Sequence, residues 1–167
     1  MEDVLDVYAE PYEARCPQGC FDASPVPLTS ETRHPLPVRP GQPQCYDYEY
    51  KREGTAHLLL FVQPLLGWRQ VNVTAQRTKP DFAQHMQLLL DVYCPEVAVV
   101  RLVVDNLNTH TPAALYETCA PAEAHRTTSK WELHDTPKHG SWLNMAACAF
   151  AGLTPQCLDR RMPEVTT

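Results

Sequence analysis

The segment that most constrains the fold is the run VAVVRLVV at residues 97–104. β-Branched residues dominate it and its apolar character is almost continuous, which is typical of a strand that is buried on both faces. Such strands belong to sheets that carry helices on each side. The run ends at Asp105, so the sequence predicts an α/β protein with an acidic residue where a buried strand gives way to a loop.

Patterning elsewhere in the chain predicts the other elements. Apolar or alternating runs predict strands, and apolar residues spaced by three or four predict helices. Thr78 is expected to cap the longest helix and Ser141 the last one. The predicted strands lie at residues 19–22, 55–62, 68–74, 97–104 and 130–135, and the predicted helices at 78–93, 112–119, 121–126 and 142–153.

Length and composition fit one domain. The chain has 167 residues, of which 44% are hydrophobic, so it can bury a core of ordinary size. We expect this domain over residues 16–163, after a polar, acidic lead-in helix or linker at 1–15 and before a tail at 164–167. The acidic start lacks the basic region of a signal peptide, and no apolar run approaches a membrane span. A cytoplasmic protein without a membrane partner is therefore expected.

Proline marks one unusual segment. Six of the 16 prolines fall within residues 24–45. Proline lacks the N–H group that helices and central strands need, so this segment is predicted to be an extended, exposed loop that is poorly ordered in isolation.

Charge and cysteine content restrict the function classes. The net charge of −6 lacks the basic surface that usually accompanies nucleic-acid binding, although metal ions can bridge carboxylates to phosphate. Seven cysteines, an odd number with irregular spacing, indicate reduced thiols. Cys16 and Cys20 are either half of a zinc site or two unrelated residues around a turn.

Two aspartates share one sequence context. Asp22 and Asp105 each follow an apolar strand run and lie where the strand gives way to a loop. Ligands of open α/β sheets bind at the carboxyl ends of strands. If the two strands are neighbours, the carboxylates form a pair that a hard divalent cation would neutralise. The alternative is that both aspartates simply begin turns.

Two longer motifs carry a family resemblance. Residues 105–112 (DNLNTHTP) and 136–146 (TPKHGSWLNMA) resemble the two signature segments of bacterial insertion-sequence transposases. These enzymes are related to the mariner transposons and carry a DDE endonuclease domain. Shorter segments at residues 39–43, 47–50, 54–56 and 67–69 are also similar, and the resemblance extends from about residue 3 to about residue 163.

The resemblance implies an α/β, RNase H-like fold with a five-stranded mixed sheet and helices on both faces. It implies that three carboxylates hold two divalent ions, Mg²⁺ or Mn²⁺, which cut and transfer DNA strands at transposon ends. By motif position, Asp22 is the first acid and Asp105 the second. Asn106 and His110 would support the loop around Asp105, or serve only as loop and helix-start residues.

The chain departs from the family at the third acid. Ala147 stands where the family has a glutamate, and no acid occurs from residue 142 to residue 155. Alanine cannot bind a metal, so weak metal binding and no cleavage are expected. Asp135, at the end of the last predicted strand, is a weak substitute candidate.

A second departure is that the family's N-terminal DNA-reading region has no counterpart before Asp22, so the chain is expected to be a truncated member that binds DNA weakly. Two hypotheses follow: a transposase catalytic-domain fragment, inactive in this copy, or a decayed, non-catalytic interaction module. The second would at most oligomerise with intact transposase, and a second copy of the chain is a further candidate partner.

Overall fold

A five-stranded sheet forms the centre of the protein. The structure is a computed structural model, and it describes residues 1–165. The strands are β1 (Gln18–Glu31), β2 (Tyr50–Gln63), β3 (Trp68–Thr74), β4 (Val100–Val104) and β5 (Trp131–Asp135). Their order across the sheet is β3-β2-β1-β4-β5, with β2 antiparallel to its neighbours β1 and β3, and with β1, β4 and β5 parallel.

Helices cover both faces of this sheet. They are α1 (Glu2–Ala9), α2 (Lys79–Leu88), α3 (Pro112–Thr118), α4 (Pro121–Thr128) and α5 (Met145–Leu153). π-Helical turns at Leu89–Tyr93 and Thr154–Leu158 continue α2 and α5, and a 3₁₀ turn at Ser141–Leu143 precedes α5. The predicted mixed sheet with helices on both faces is therefore confirmed.

The central strands divide the core into two layers. On one face Phe21, Leu102 and Val104 pack against α2, α3 and α4. On the other face Cys20 and Val103 pack against α1 and α5. Because successive residues of a strand point to opposite faces, one short run of apolar residues supplies both layers, as the continuous apolar pattern of β4 predicted.

The expectation that residues 24–45 form a loop throughout is wrong for residues 24–31. There β1 continues as a strand that pairs only with β2, because its pairing with β4 ends at Phe21. Pro25 and Pro27 lie two residues apart, so both direct their missing N–H groups to the same edge. Thr29 is two residues further along, and its N–H donates to the carbonyl of Met162 at 2.8 Å, away from β2. Proline is tolerated at such an open edge.

Beyond β1 the loop is held by isolated bridges, Leu36 with Cys45 and Arg39 with Gln42. Large side chains remain exposed there, Leu36 at 66% and Tyr48 at 87%. Exposure of this part therefore agrees with the sequence, whereas its poor order stays a prediction.

The ends of the chain contribute unequally. Residues 1–15 include α1, whose Val4 and Val7 are buried against the sheet, so this lead-in packs onto the domain. Of the tail at 164–167, Glu164 and Val165 are exposed, and residues 166–167 lie outside the described residues. None of the helices in residues 1–165 combines the length and apolar character needed to cross a bilayer.

Candidate active site

Asp22 and Asp105 lie side by side on two inner strands of the sheet. The parallel pairing of β1 with β4 runs from Gln18 and Arg101 to Phe21 and Val104, so the two aspartates are the next residues on each strand. Neighbouring strands are about 4.8 Å apart, which brings the two carboxylates to one edge of the sheet within reach of one small ligand. The two strands are therefore neighbours, which is the condition that the carboxylate pair requires, with Asp22 inside β1 and Asp105 directly after β4.

The pair is electrostatically unfavourable without a cation. Burial raises the pKa of Asp22, and the neighbouring charge of Asp105 raises it further. A hydrogen bond from the Ala23 N–H to Asp22 Oδ1, 2.7 Å long, works in the opposite direction, as do the charges of His110 and Arg77. Burial is the largest of these effects, so the Asp22 carboxylate is poorly compensated within the protein itself.

His110 is the partner of Asp105. Its Nδ1 contacts Asp105 Oδ1, and its side chain is only 1% exposed. The ring stacks on Phe82 and meets Phe21 edge-on, each at a centroid distance of 5.0 Å. The buried Nε2 has no hydrogen-bond partner among the described residues. The predicted supporting contact to Asp105 is thus present, while the nearby Asn106 is exposed and lines a cavity next to Asp105.

Helix α5 is attached to β1 beside the acid pair by Asn144. The Asn144 amide nitrogen donates to the carbonyl of Phe21 at 2.8 Å, and its side-chain oxygen accepts from the N–H of Ala146 at 3.1 Å. The predicted cap, Ser141, instead begins the 3₁₀ turn. Asparagine is a preferred N-cap residue, so the position of Asn144 directly before the apolar run MAACAFAG could have identified it as the cap of α5.

Ala147 lies in the first turn of α5, three residues beyond this attachment. It is half-buried, and its side chain is a single methyl group, which cannot bind a metal. Because Asn144 fixes the start of the helix next to the residue that precedes Asp22, a longer acidic side chain at 147 would originate close to the site.

Asp135 lies across β4 from Phe21, the residue before Asp22, because both pair with Val104. It pairs in register with Val104, and its pKa is raised by burial and then by the charge of Asp105. Two strand spacings, about 10 Å, separate its strand from β1, so Asp135 starts further from Asp22 than Asp105 does. An acid at the end of β5 therefore has a different geometry from an acid on a helix that lies next to both aspartates.

The described residues do not fit a two-ion centre. No group of three His, Cys, Asp or Glu side chains in residues 1–165 is arranged to hold a metal. Asp22 and Asp105 supply two carboxylates, one oxygen of which is already contacted by His110. Cys20 is buried against the Tyr8 hydroxyl at 3.3 Å, so the zinc alternative for Cys16 and Cys20 also lacks a ligand set within this part of the chain.

A cavity of about 360 Å³ opens beside Asp105. The backbone between β5 and the 3₁₀ turn forms its other walls, where the N–H of Thr136 donates to the carbonyl of Val104 at 2.9 Å. It is lined by Asp105, Asn106, Thr136, Pro137, Lys138, His139 and Ser141. Acidic, cationic and hydroxyl groups therefore meet at the carboxyl edge of the parallel strands.

Comparisons with known proteins agree with this architecture. A family model described as DDE superfamily endonuclease matches residues 18–167. No protein among those with curated descriptions matches the chain.

Solved structures of similar fold include transposase complexes. A chain of the Mos1 mariner paired-end complex with Mn is 17% identical, with a TM-score of 0.61 over 98% of this chain and 48% of that chain. A chain of the Mos1 strand transfer complex is 14% identical, with a TM-score of 0.59 over 98% of this chain and 46% of that one. The chain thus spans about half the length of these structures and has the RNase H-like fold.

Proposed function

The chain belongs to the DDE superfamily endonucleases, and from this premise we propose that it is the catalytic-domain part of a DDE transposase, built for DNA strand cleavage and transfer. The observation that carries the proposal is the pairing of Asp22 with Asp105 on adjacent parallel strands. In this proposal they are the first two acids of the site, both catalytic and metal-binding. His110 orients Asp105, and Asn106 supports the same loop.

This copy is inactive in our proposal. The ion that the family resemblance implies, Mg²⁺ or Mn²⁺, would supply nucleophile activation and leaving-group stabilisation. Two carboxylates hold Mg²⁺ weakly, because the ion keeps its waters and gains little from two ligands. Because Ala147 has only a methyl group where the family has a glutamate, the third carboxylate ligand is missing. What remains for the chain's own residues is to hold the acid pair in place and to present the edge of the sheet to a ligand.

Partners are proposed on the same basis. Transposon-end DNA is the expected ligand, and its binding to this fragment is weak because the net charge of −6 opposes association with phosphate. We also propose that the chain forms a homodimer and lies in the cytoplasm. The second candidate function, a non-catalytic interaction module on an RNase H-like scaffold, is favoured by one specific observation, the alanine at position 147.

The experiment is a paired measurement of metal binding and DNA nicking. Mn²⁺ calorimetry and nicking of supercoiled plasmid are compared for the parent and for Ala147→Glu. We expect no detectable nicking by the parent. Ala147→Glu should bind Mn²⁺ more tightly, because that needs only local geometry, and should nick weakly.

Two controls make this measurement specific. Ala151→Glu adds the same acid one helical turn further along α5, at an exposed position, and should leave metal binding as in the parent. Asp105→Asn should remove any nicking that Ala147→Glu gains. Robust nicking by the parent that Asp105→Asn abolishes would show that another residue, such as Asp135, completes the site.

A further inference from the structure

Trp142 differs from the other tryptophans of the chain in its environment. Its side chain is 69% exposed. Trp68 packs against Tyr93 at a centroid distance of 5.3 Å, and Trp131 packs against Phe82 at 6.0 Å. An indole exposed to this degree contributes little to the core, so core packing does not account for a tryptophan at this position.

The backbone on both sides of Trp142 is fixed. Leu143 is buried, its N–H donates to the carbonyl of Gly140 at 3.0 Å, and its carbonyl accepts from the Tyr8 hydroxyl at 2.9 Å. Asn144 follows and is attached to Phe21. A ligand that contacts the indole therefore meets an ordered backbone and does not have to order a loop.

Trp142 does not itself line the cavity beside Asp105, but residues close to it in the chain do. Ser141, the preceding residue, lines the cavity beside Asp105, and Lys138 and His139 line the same cavity. Aromatic anchors of protein interfaces are surrounded by a patch depleted in charged residues, which is not the setting here. A cation and an aromatic ring beside a carboxylate edge instead match single-stranded nucleic acid, whose phosphates and bases need those two groups.

We propose that Trp142 is a stacking platform for an unpaired DNA base next to the acid pair, with Lys138 contacting the adjacent phosphate. The inference rests on the proposed function and names the form of DNA that this edge of the sheet accepts. A base inside a duplex has both faces covered by its neighbours, whereas an unpaired base offers a free face to the indole and is flexible enough to reach it. The cavity beside Asp105, about 360 Å³, then takes the sugar and phosphate of that nucleotide.

The test is binding of a fluorescently labelled decathymidylate single strand at low ionic strength, followed by anisotropy and by quenching of tryptophan emission. Trp142→Ala should weaken binding by about 5- to 150-fold, the range that stacking on one base contributes. Trp142→Phe keeps an aromatic face and should retain most of the affinity. Lys138→Gln should lower the slope of affinity against salt by about 0.7, as expected for one single-strand phosphate contact.

Tyr116→Ala is the matched control, because Tyr116 is an aromatic residue that is 50% exposed but lies on α3, away from the segment 141–144 that borders the cavity. It should bind decathymidylate as the parent does. Equal thermal midpoints for parent and variants establish that folding is unchanged. The proposal is overturned if the parent does not bind the strand, or if Trp142→Ala binds it as tightly as the parent.

Failure of this inference is distinguishable from failure of the proposed function. The function fails if Ala147→Glu gains neither metal binding nor nicking, whatever the strand affinity. The inference fails if Ala147→Glu nicks DNA while addition of Trp142→Ala leaves both strand affinity and nicking unchanged. Loss of strand affinity on Trp142→Ala supports the platform in either background.

Discussion

Replacing Asn144 with alanine should destabilise the protein by about 2–4 kcal/mol. The side chain makes two contacts, one that caps α5 and one that ties it to β1 at Phe21. Loss of a helix cap costs about 1 kcal/mol. Loss of the contact to a buried carbonyl costs about 1–3 kcal/mol, because it leaves a polar group without that partner. Asn144 is 1% exposed, so water cannot replace either contact without rearrangement.

The assay is thermal and urea unfolding followed by circular dichroism. For a domain of this size each kcal/mol shifts the midpoint by about 2–4 °C, so Asn144→Ala should lower it by roughly 5–15 °C. Asn144→Ser keeps the capping oxygen but cannot reach Phe21, and should fall between parent and alanine variant. Ser141→Ala tests the cap that the sequence favoured and should change stability by less than about 0.5 kcal/mol. Equal midpoints for Asn144→Ala and the parent would refute the attachment of α5 through this side chain.

Two further predictions concern the acid pair and the proline-rich loop. Because burial and Asp105 raise the pKa of Asp22, the folded state holds that proton more tightly than the unfolded chain, and stability should fall as pH rises from the ordinary value of 3.8 through the raised one. In metal-free buffer at pH 7, Asp22→Asn should therefore melt at a higher temperature than the parent, and this difference should close below pH 3.8. A lower melting midpoint for Asp22→Asn at pH 7 would contradict this. The control is Asp6→Asn, on the exposed side of α1. The Arg161 guanidinium contacts the Glu31 carboxylate and the carbonyls of Asp47 and Glu49, and lies 5.8 Å from the centre of the Tyr50 ring. Arg161→Gln should therefore speed chymotrypsin cleavage within residues 32–49 severalfold while Arg160→Gln does not, and identical cleavage rates for the two variants would rule out this anchoring.

Local patterns were sufficient for much of the fold. The run at 97–104 predicted a strand buried on both faces, and β4 occupies its second half at Val100–Val104. Thr78 and Asp81 form the predicted start of α2, where the Asp81 carboxylate accepts from the Thr78 N–H at 2.8 Å. These features depend on residues within one or two turns of each other, so the sequence carries them directly.

The candidate site was only partly contained in such patterns. The expected strand-end position marked Asp22 and Asp105, and the motif resemblance marked Ala147 and His110. That expectation is wrong for Asp22, because β1 continues past it to Glu31, whereas Asp105 does follow the end of β4. That the two aspartates are adjacent depends on β1 pairing with β4, a choice between segments about 80 residues apart that no local pattern encodes.

Tertiary structure alone decided the remaining features. Pro25 and Pro27 are compatible with a strand only because β4 ends before them and leaves that edge of β1 open. Asn144 replaced Ser141 as the cap because its amide also reaches the carbonyl of Phe21, a residue far away in the chain. Trp142 is exposed because its neighbours Leu143 and Asn144 take the buried positions at the start of α5. In each case the free energy of a side chain depends on which distant segment lies against it, and that is determined by the order of strands in the sheet and the packing of helices upon it.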